Sequence, residues 1–324
     1  MTTPEVITVH FENARNLATT YCANEANLKM AEQVLGVSLV TRENWIQIDG
    51  DNDASSKAKL LFELLGQGQA QGMQIRNGDF KYVLNAIADG REEEAVRLLQ
   101  EPLIIKLRKH SLIPKTLNQK LYLEGITQHS ISFGIGPAGT GKTYLAMASA
   151  LHALLEGDVG KIILTRPAVE AGEALGYLPG DLQEKILPYL LPLYDAMEDM
   201  LGKTMVQKLI EHGEIEIAPL AYMRGRTLSR SFIVLDEAQN TTTEQMMMFL
   251  TRLGEGSRMV VTGDITQVDL PRSRRSGLKE AMKILKHIPE IQMFFFSNHD
   301  VVRHPVVQSI IEAYEKNKTI DLKS

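Results

Sequence analysis

The sequence predicts an α/β protein: a mostly parallel sheet with helices on both faces, preceded by a small α+β unit. Three observations lead there. From residue 114 onward, apolar runs of strand length alternate with stretches of helical periodicity, the order that builds parallel sheets through helical crossovers. One of those runs leads directly into a glycine-rich loop of the form G-x-x-x-x-G-K-T and then into an apolar helix. Ahead of this region, residues 1–70 follow a different rhythm of helix, two short alternating strands and helix.

The first unit is carried by "ANLKMAEQVLGVSLVTRENWIQIDGDNDASSKAKLLFELLGQ": a helix ending near Gly36, strands at 37–41 and 45–48, and a second helix. Glycines 66, 68, 72 and 78 then loosen the chain, so a domain boundary is expected near residue 70. Residues 71–113 read as a helical connector, with a helix pair broken at Gly90, followed by a basic linker. That linker carries Lys106, Arg108, Lys109 and His110, with Lys115 just beyond. It is either a solvated connection or a contact that tracks a nucleic-acid strand. Residues 114–324 form the large domain, with strands expected at 131–135, 161–165, 215–218, 232–235, 259–262 and 291–296.

Composition narrows the class. At 324 residues there is room for a large domain and a small one, and 44% hydrophobic with 23% charged residues suits a soluble globular protein. The start "MTTPEVITVHFEN" lacks the order of a secretory leader. The longest apolar stretch, about 146–155, is interrupted by Ser149 and His152 and is too short to span a bilayer. A cytoplasmic protein with no membrane partner is expected. The single cysteine, Cys22, reads as a buried or bystander thiol. His299 and His304 miss the i, i+4 spacing of helical metal ligands, and no other metal cluster competes. A net charge of −5 excludes a uniformly basic coat for nucleic acid but not a local basic face.

The chemistry concentrates at three places. Gly136, Pro137, Ala138, Gly139, Thr140, Gly141, Lys142 and Thr143 form the phosphate loop: its backbone N–H groups curl around phosphates and the following helix N-terminus adds positive potential. Lys142 is expected on the outer phosphates and the Thr143 hydroxyl on Mg²⁺, which makes ATP and Mg²⁺ the expected ligands. In "SFIVLDEAQN", four apolar residues run into Asp236, expected to hold Mg²⁺, and Glu237, expected to orient or deprotonate a water. A strand merely ending in an acidic turn is the plainer alternative. A base beside the metal carboxylate favours hydrolysis over transfer to a metabolite. In "MVVTGDITQVDLP", Thr262, Gly263, Asp264 and Gln267 end the next strand on the same crevice, with Gln267 expected to couple the terminal phosphate to a bound polymer; turn chemistry alone explains Gly263–Asp264. No strand-following N-K-x-D reads guanine, so GTP is not favoured.

Together "GPAGTGKT", "TRPAVEAGEALGYLPGD", "YMRGRTLSRSFIVLDEAQN", "TGDITQVDLP" and "DVVRHPVVQSIIEAYE" make the chain resemble the PhoH-like ATPases over about residues 114–318, in the bacterial form with an N-terminal extension. The resemblance implies a RecA-like P-loop NTPase core akin to the first motor domain of superfamily-1 helicases. It places Gln119 where such a helicase reads adenine, or else leaves it as a polar residue at a helix end. It makes Arg166, Arg224 and Arg226 candidate RNA contacts, together with Arg272, Arg274 and Arg275, which read equally well as a solvated charge run. With only one motor core present, the missing half is expected from another subunit of a ring-shaped homo-oligomer, a hexamer being one size. Arg303 is then the arginine finger in trans, or a local cap. The N-terminal unit weakly resembles a KH-type module but has no G-x-x-G loop between its helices. The resemblance also implies RNA metabolism and a YbeY-type endoribonuclease as partner. Tyr177, Tyr189 and Tyr194 read as core residues before base-stacking ones.

The leading expectation is therefore an ATP hydrolase that remodels or moves along single-stranded RNA, including helicase activity. A nucleotide-dependent switch that holds and regulates a partner nuclease is the alternative. A small-molecule kinase comes third, because the Asp236–Glu237 pair suits water.

Overall fold

The computed structural model describes residues 5–73, 75–100, 103–107, 111–167, 182–271, 273–301, 306 and 310. The N-terminal unit opens with β1 (Glu5–His10), α1 (Ala14–Thr20) and α2 (Glu25–Leu35). The hairpin β2 (Ser38–Arg42) and β3 (Trp45–Gly50) follows, then α3 (Asn52–Ala70). Its antiparallel sheet has the order β1-β3-β2. Asn13, Asn24 and Asp51 cap the three helices by accepting from the backbone N–H of Asn16, Ala26 and Ala54, and Gly36, at φ +73, ends α2. The expected helix, hairpin and helix are present; β1 and α1 were not expected. The β-branched run Val6–Ile7–Thr8–Val9 was the signal for β1.

The boundary expected near residue 70 is replaced by a continuous core. Helices α4 (Asn77–Ala88) and α5 (Glu92–Gln100) pack into the same apolar cluster as α3, where Phe80, Val83, Leu84, Leu98 and Leu99 meet Ile46, Ile48, Leu61, Phe62 and Leu65. The physical reason lies in the glycines read as a loose stretch. Gly66 and Gly68 are inside α3, and a Cβ on Gly68 would stand 2.9 Å from Leu99 Cδ2, so glycine lets α5 lie close against α3. The turn between α1 and α2 is docked on its own chain. Asn24 and Asn27 both donate through Nδ2 to Asn77 Oδ1, at 3.3 and 2.7 Å. Burial, with the charge of Asp79 beside it, pushes the Cys22 thiol in this turn up to about 11, in keeping with a bystander.

The larger unit begins with a two-residue ribbon, β4 (Ile105–Lys106) and β5 (Ser111–Leu112), and α6 (Leu117–Gln128). Six strands follow: β6 (Ile131–Ile135), β7 (Lys161–Arg166), β8 (Ile215–Pro219), β9 (Ser231–Leu235), β10 (Arg258–Gly263) and β11 (Ile291–Phe295). They pair in parallel in the order β11-β6-β10-β9-β7-β8. Every expected strand is present to within a residue at each end. Helix α7 (Lys142–Leu155) leaves β6, α8 (Leu182–Leu201) and α9 (Lys203–Glu211) lie between β7 and β8, and α10 (Thr243–Leu250) and α11 (Gly277–Ile284) flank β10.

The period of two along each strand divides the core between the faces. Ile162, Leu164, Phe232, Val234 and Val260 join α7, α8 and α9 on one side; Ile163, Ile233, Leu235, Met259 and Val261 join α10 and α11 on the other. On β6 the first face has no apolar side chain. Ser132 and Gly134 stand there because Tyr122 of α6 fills the space: a Cβ on Gly134 would lie 2.7 Å from its hydroxyl. The Tyr122 ring meets Phe294 and Phe296 edge-on at 5.6 and 5.3 Å. No described helix is long and apolar enough to cross a membrane.

Candidate functional site

A parallel sheet sends all its C-terminal strand ends to one edge, where open α/β sheets bind ligands. Here β6 ends in the loop 136–143, β9 in Asp236–Glu237, β10 in Gly263–Gln267 and β7 in Arg166. Gly136 is required by close approach, since a Cβ on it would overlap the Phe296 carbonyl oxygen. Gly141, at φ +83, is required by its left-handed turn into α7. Lys142 is mostly buried, and its Nζ donates to the Pro137 carbonyl at 2.8 Å. Burial lowers its pKa, and the charges of Asp264, Asp236 and Glu237 oppose that shift without overcoming it.

Asp236 is the meeting point of three elements. Thr143 Oγ1, in the first turn of α7, donates to Asp236 Oδ1 at 2.8 Å; Thr262 Oγ1, on β10, donates to the same oxygen at 2.7 Å. The strand order explains this, because β10 lies between β6 and β9 and sets Thr262 in the gap between loop and carboxylate. One hydroxyl and one carboxylate oxygen, with no thiolate or imidazole, are a hard donor set of the kind that suits Mg²⁺ shared with phosphates. Among the described residues no group of three or more His, Cys, Asp or Glu could hold a metal by itself.

Glu237 takes a left-handed backbone, φ +53, which is costly for a residue with a Cβ. Its Oε1 pairs with Arg166 Nη2 at 2.9 Å and its Oε2 accepts from Gln239 Nε2. Buried Gln239 in turn accepts through Oε1 from the Asp264 N–H at 3.0 Å. Gln239 therefore joins the Glu237 turn to the β10 loop, a role the sequence reading missed; a polar residue two places after Glu237 in "DEAQN" was the available signal. Burial would raise the Asp264 carboxyl. Bonds from the Thr266 hydroxyl, the Thr266 N–H and Gln267 Nε2, with the charge of Lys142, outweigh it and hold the group below its ordinary value. Gln267 faces the same cavity of about 370 Å³ as Ala138, Lys142, Thr143, Arg166 and Glu237.

A second cavity, about 430 Å³, adjoins the first across Gly139, Gly141 and Tyr144. Leu107, Leu112, Ile113 and Gln119 line it, so part of the expected linker is a wall of the site. Arg108, Lys109 and His110 lie outside the described residues. Gln119 donates through Nε2 to the Thr140 carbonyl at 3.1 Å, and its Oε1 accepts from the Lys115 N–H at 2.7 Å. The larger cavity of about 1010 Å³ between β1 and α3 lies apart from all these groups.

The arginines expected on RNA separate into three groups. Arg166 points into the phosphate cavity and pairs with Glu237. Arg226 is bidentate on Glu216, at 2.6 and 2.9 Å, with Lys161 as a third member at 2.6 Å; the Arg226 bonds, more than those of Lys161, hold the Glu216 carboxyl down to about 2. Arg224, Arg274 and Arg275 are exposed. Arg272, Arg303 and Tyr177 lie outside the described residues, and half-buried Tyr194 packs on the apolar core.

A glycine loop between a parallel strand and a helix, with its threonine bonded to a carboxylate at the end of a nearby strand, defines a P-loop nucleoside triphosphatase. The chain belongs to the PhoH-like family, whose pattern, described as PhoH-like protein, matches residues 111–315. It is 49% identical over 289 residues to a PhoH-like protein of Bacillus subtilis, covering 89% of this chain and 91% of that one. A PhoH-like protein of Mycobacterium tuberculosis is 50% identical over 296 residues, covering 90% and 83%. Protein PhoH of Escherichia coli is 46% identical over 195 residues, 60% of this chain and 55% of its own. Family and fold together make this a nucleotide-binding, nucleotide-hydrolysing protein.

Proposed function

We propose that the chain is a Mg²⁺-dependent ATP hydrolase coupled to single-stranded RNA, which it remodels or unwinds during RNA processing. The observation that carries this reading is the convergence of Thr143 and Thr262 on Asp236, with Glu237 in the same cavity as the phosphate loop. Thr143 and Asp236 are the residues that would hold Mg²⁺, which would supply positive charge to the triphosphate. Lys142 and the loop N–H groups orient the triphosphate. Glu237 takes a proton from the attacking water as the bond from the γ-phosphorus to its bridging oxygen breaks, giving ADP and phosphate. The cavity beside Gln119 receives the base. Exposed Arg224, Arg274 and Arg275 are the candidates for RNA phosphates. Arg303 is assigned as the finger contributed across a homo-oligomeric ring.

One observation favours a second reading, a switch that holds a partner such as a YbeY-type endoribonuclease: two of the arginines expected on RNA, Arg166 and Arg226, are engaged by Glu237 and Glu216. Steady-state ATP hydrolysis with and without single-stranded RNA separates the two. RNA stimulation supports the motor, whereas turnover indifferent to RNA but responsive to a partner supports the switch. Lys142→Ala should lose nucleotide binding. Glu237→Gln should keep ATP bound while kcat falls by a factor on the order of 10² to 10⁴; normal turnover in that variant would remove Glu237 from the mechanism.

A further inference from the structure

Helix α6 is built into both halves of the molecule. Leu117 belongs to the N-terminal core, whereas Tyr122, Leu123 and Ile126 belong to the core of the parallel sheet. Lys120 is buried and turns away from the sheet. Its Nζ donates to the carbonyls of Arg97 and Leu98, at 3.2 and 2.6 Å. These are among the last four carbonyls of α5, which lack helical partners and carry the negative end of its dipole. A buried ammonium is costly unless so satisfied, and this one ties α6 to the N-terminal unit.

The start of α6 is held from both halves. Asp79, buried in the first turn of α4, accepts from the Arg76 N–H at 2.9 Å and holds that residue at the helix start. Asp300 accepts from Thr116 Oγ1 at 2.9 Å and Asn118 Nδ2 at 3.0 Å, and the Arg76 guanidinium donates to the Val301 carbonyl at 3.4 Å. Thr116 caps the helix by accepting from the Gln119 N–H. The residue between these anchors, Gln119, reaches the other way, to the Thr140 carbonyl of the phosphate loop.

We propose that the N-terminal unit is a working part of the nucleotide site, with Lys120 as the positioning residue that fixes α6 and thereby holds Gln119 against the phosphate loop. The geometry gives the unit a task independent of any RNA contact of its own: it sets the base side of the loop. This rests on the reading of the loop as a nucleotide site only for its consequence in catalysis; the mechanical link stands on the contacts themselves.

The test compares the full-length wild type with Lys120→Met, Lys120→Arg and Gln119→Ala, by hydrogen exchange and by ATP turnover. In Lys120→Met, amides of the phosphate loop should exchange about fivefold faster or more. The KM for ATP should rise about fivefold with kcat changed by less than about twofold, the pattern of weakened ground-state binding. Lys120→Arg, which keeps the charge and the donors, should stay near wild type. On a Gln119→Ala background, Lys120→Met should add nothing further, because both act through one contact. Loop exchange that stays at the wild-type rate while the end of α5 loosens overturns the proposal, as do additive effects of the two substitutions. Absence of ATP binding by the wild type, with the exchange response intact, would count against the nucleotide reading and leave the link standing.

Discussion

Asp79 offers a sharp physical test of how the two halves meet. Its carboxyl is buried, and that burial, with a smaller push from the charge of Asp300, raises it from 3.8 to about 6; the Arg76 N–H, the Arg76 guanidinium and the Leu117 N–H pull the other way and lose. A folded-state value above the unfolded one means that the folded chain binds this proton more tightly. The stability it contributes is therefore fully present below about pH 4 and is lost as pH rises through about 6. A shift of about two pKa units corresponds to about 3 kcal/mol. Asp79→Asn is neutral at every pH and lacks this dependence. Urea unfolding followed by the single tryptophan, Trp45 in β3 of the N-terminal unit, reads the stability of the half that contains Asp79. The difference between variant and wild type cancels the pH slopes of all other groups. It should shift in favour of the variant by about 2–3 kcal/mol between pH 4 and pH 7, with the change confined to that interval. A difference that stays constant with pH would refute the reasoning, because Asp79 would then titrate as a solvated carboxylate.

Two further outcomes check the packing and the charge assignments. Arg226→Ala should cost roughly 1–2 kcal/mol through loss of the bidentate bond to Glu216, yet leave the affinity for single-stranded RNA and its salt dependence at wild-type values; a reduced salt slope would return Arg226 to the RNA surface. In α6, a Cβ on Gly125 would overlap the ring of Phe294, so Gly125→Ala should destabilise by about 1–3 kcal/mol in thermal unfolding, and an unchanged midpoint would show that α6 is not held where the structure puts it.

The parts of the site that could be read in advance are those contained in a few consecutive residues. The phosphate loop is one turn of chain, and its glycines announce that turn; the approach of Phe296 to Gly136 came only with the fold. Short continuous apolar runs between helical stretches announced all six strands, and Asp236 and Glu237 stand at the end of one of them. Gln239 escaped notice because its value lies in bonding Glu237 on one side and the Asp264 N–H, 25 positions away, on the other. Arg226 looked like a free cation beside a glycine because its partner, Glu216, stands on β8 and only the fold brings the loop back to it. Gly66 and Gly68 looked like a linker because nothing local reveals that Leu99 will lie across them.

By itself, then, the sequence determined the fold class, the phosphate loop and the carboxylate pair that faces it. Local sterics and hydrophobic periodicity act over a few residues and need no distant partner. The tertiary structure alone decided which charges are spent in pairs, how far the N-terminal core extends, and that α6 serves both halves. Those outcomes depend on groups such as Thr116 and Asp300, 184 positions apart, arriving at hydrogen-bonding distance, and burial settles their energies only once the chain has closed around them.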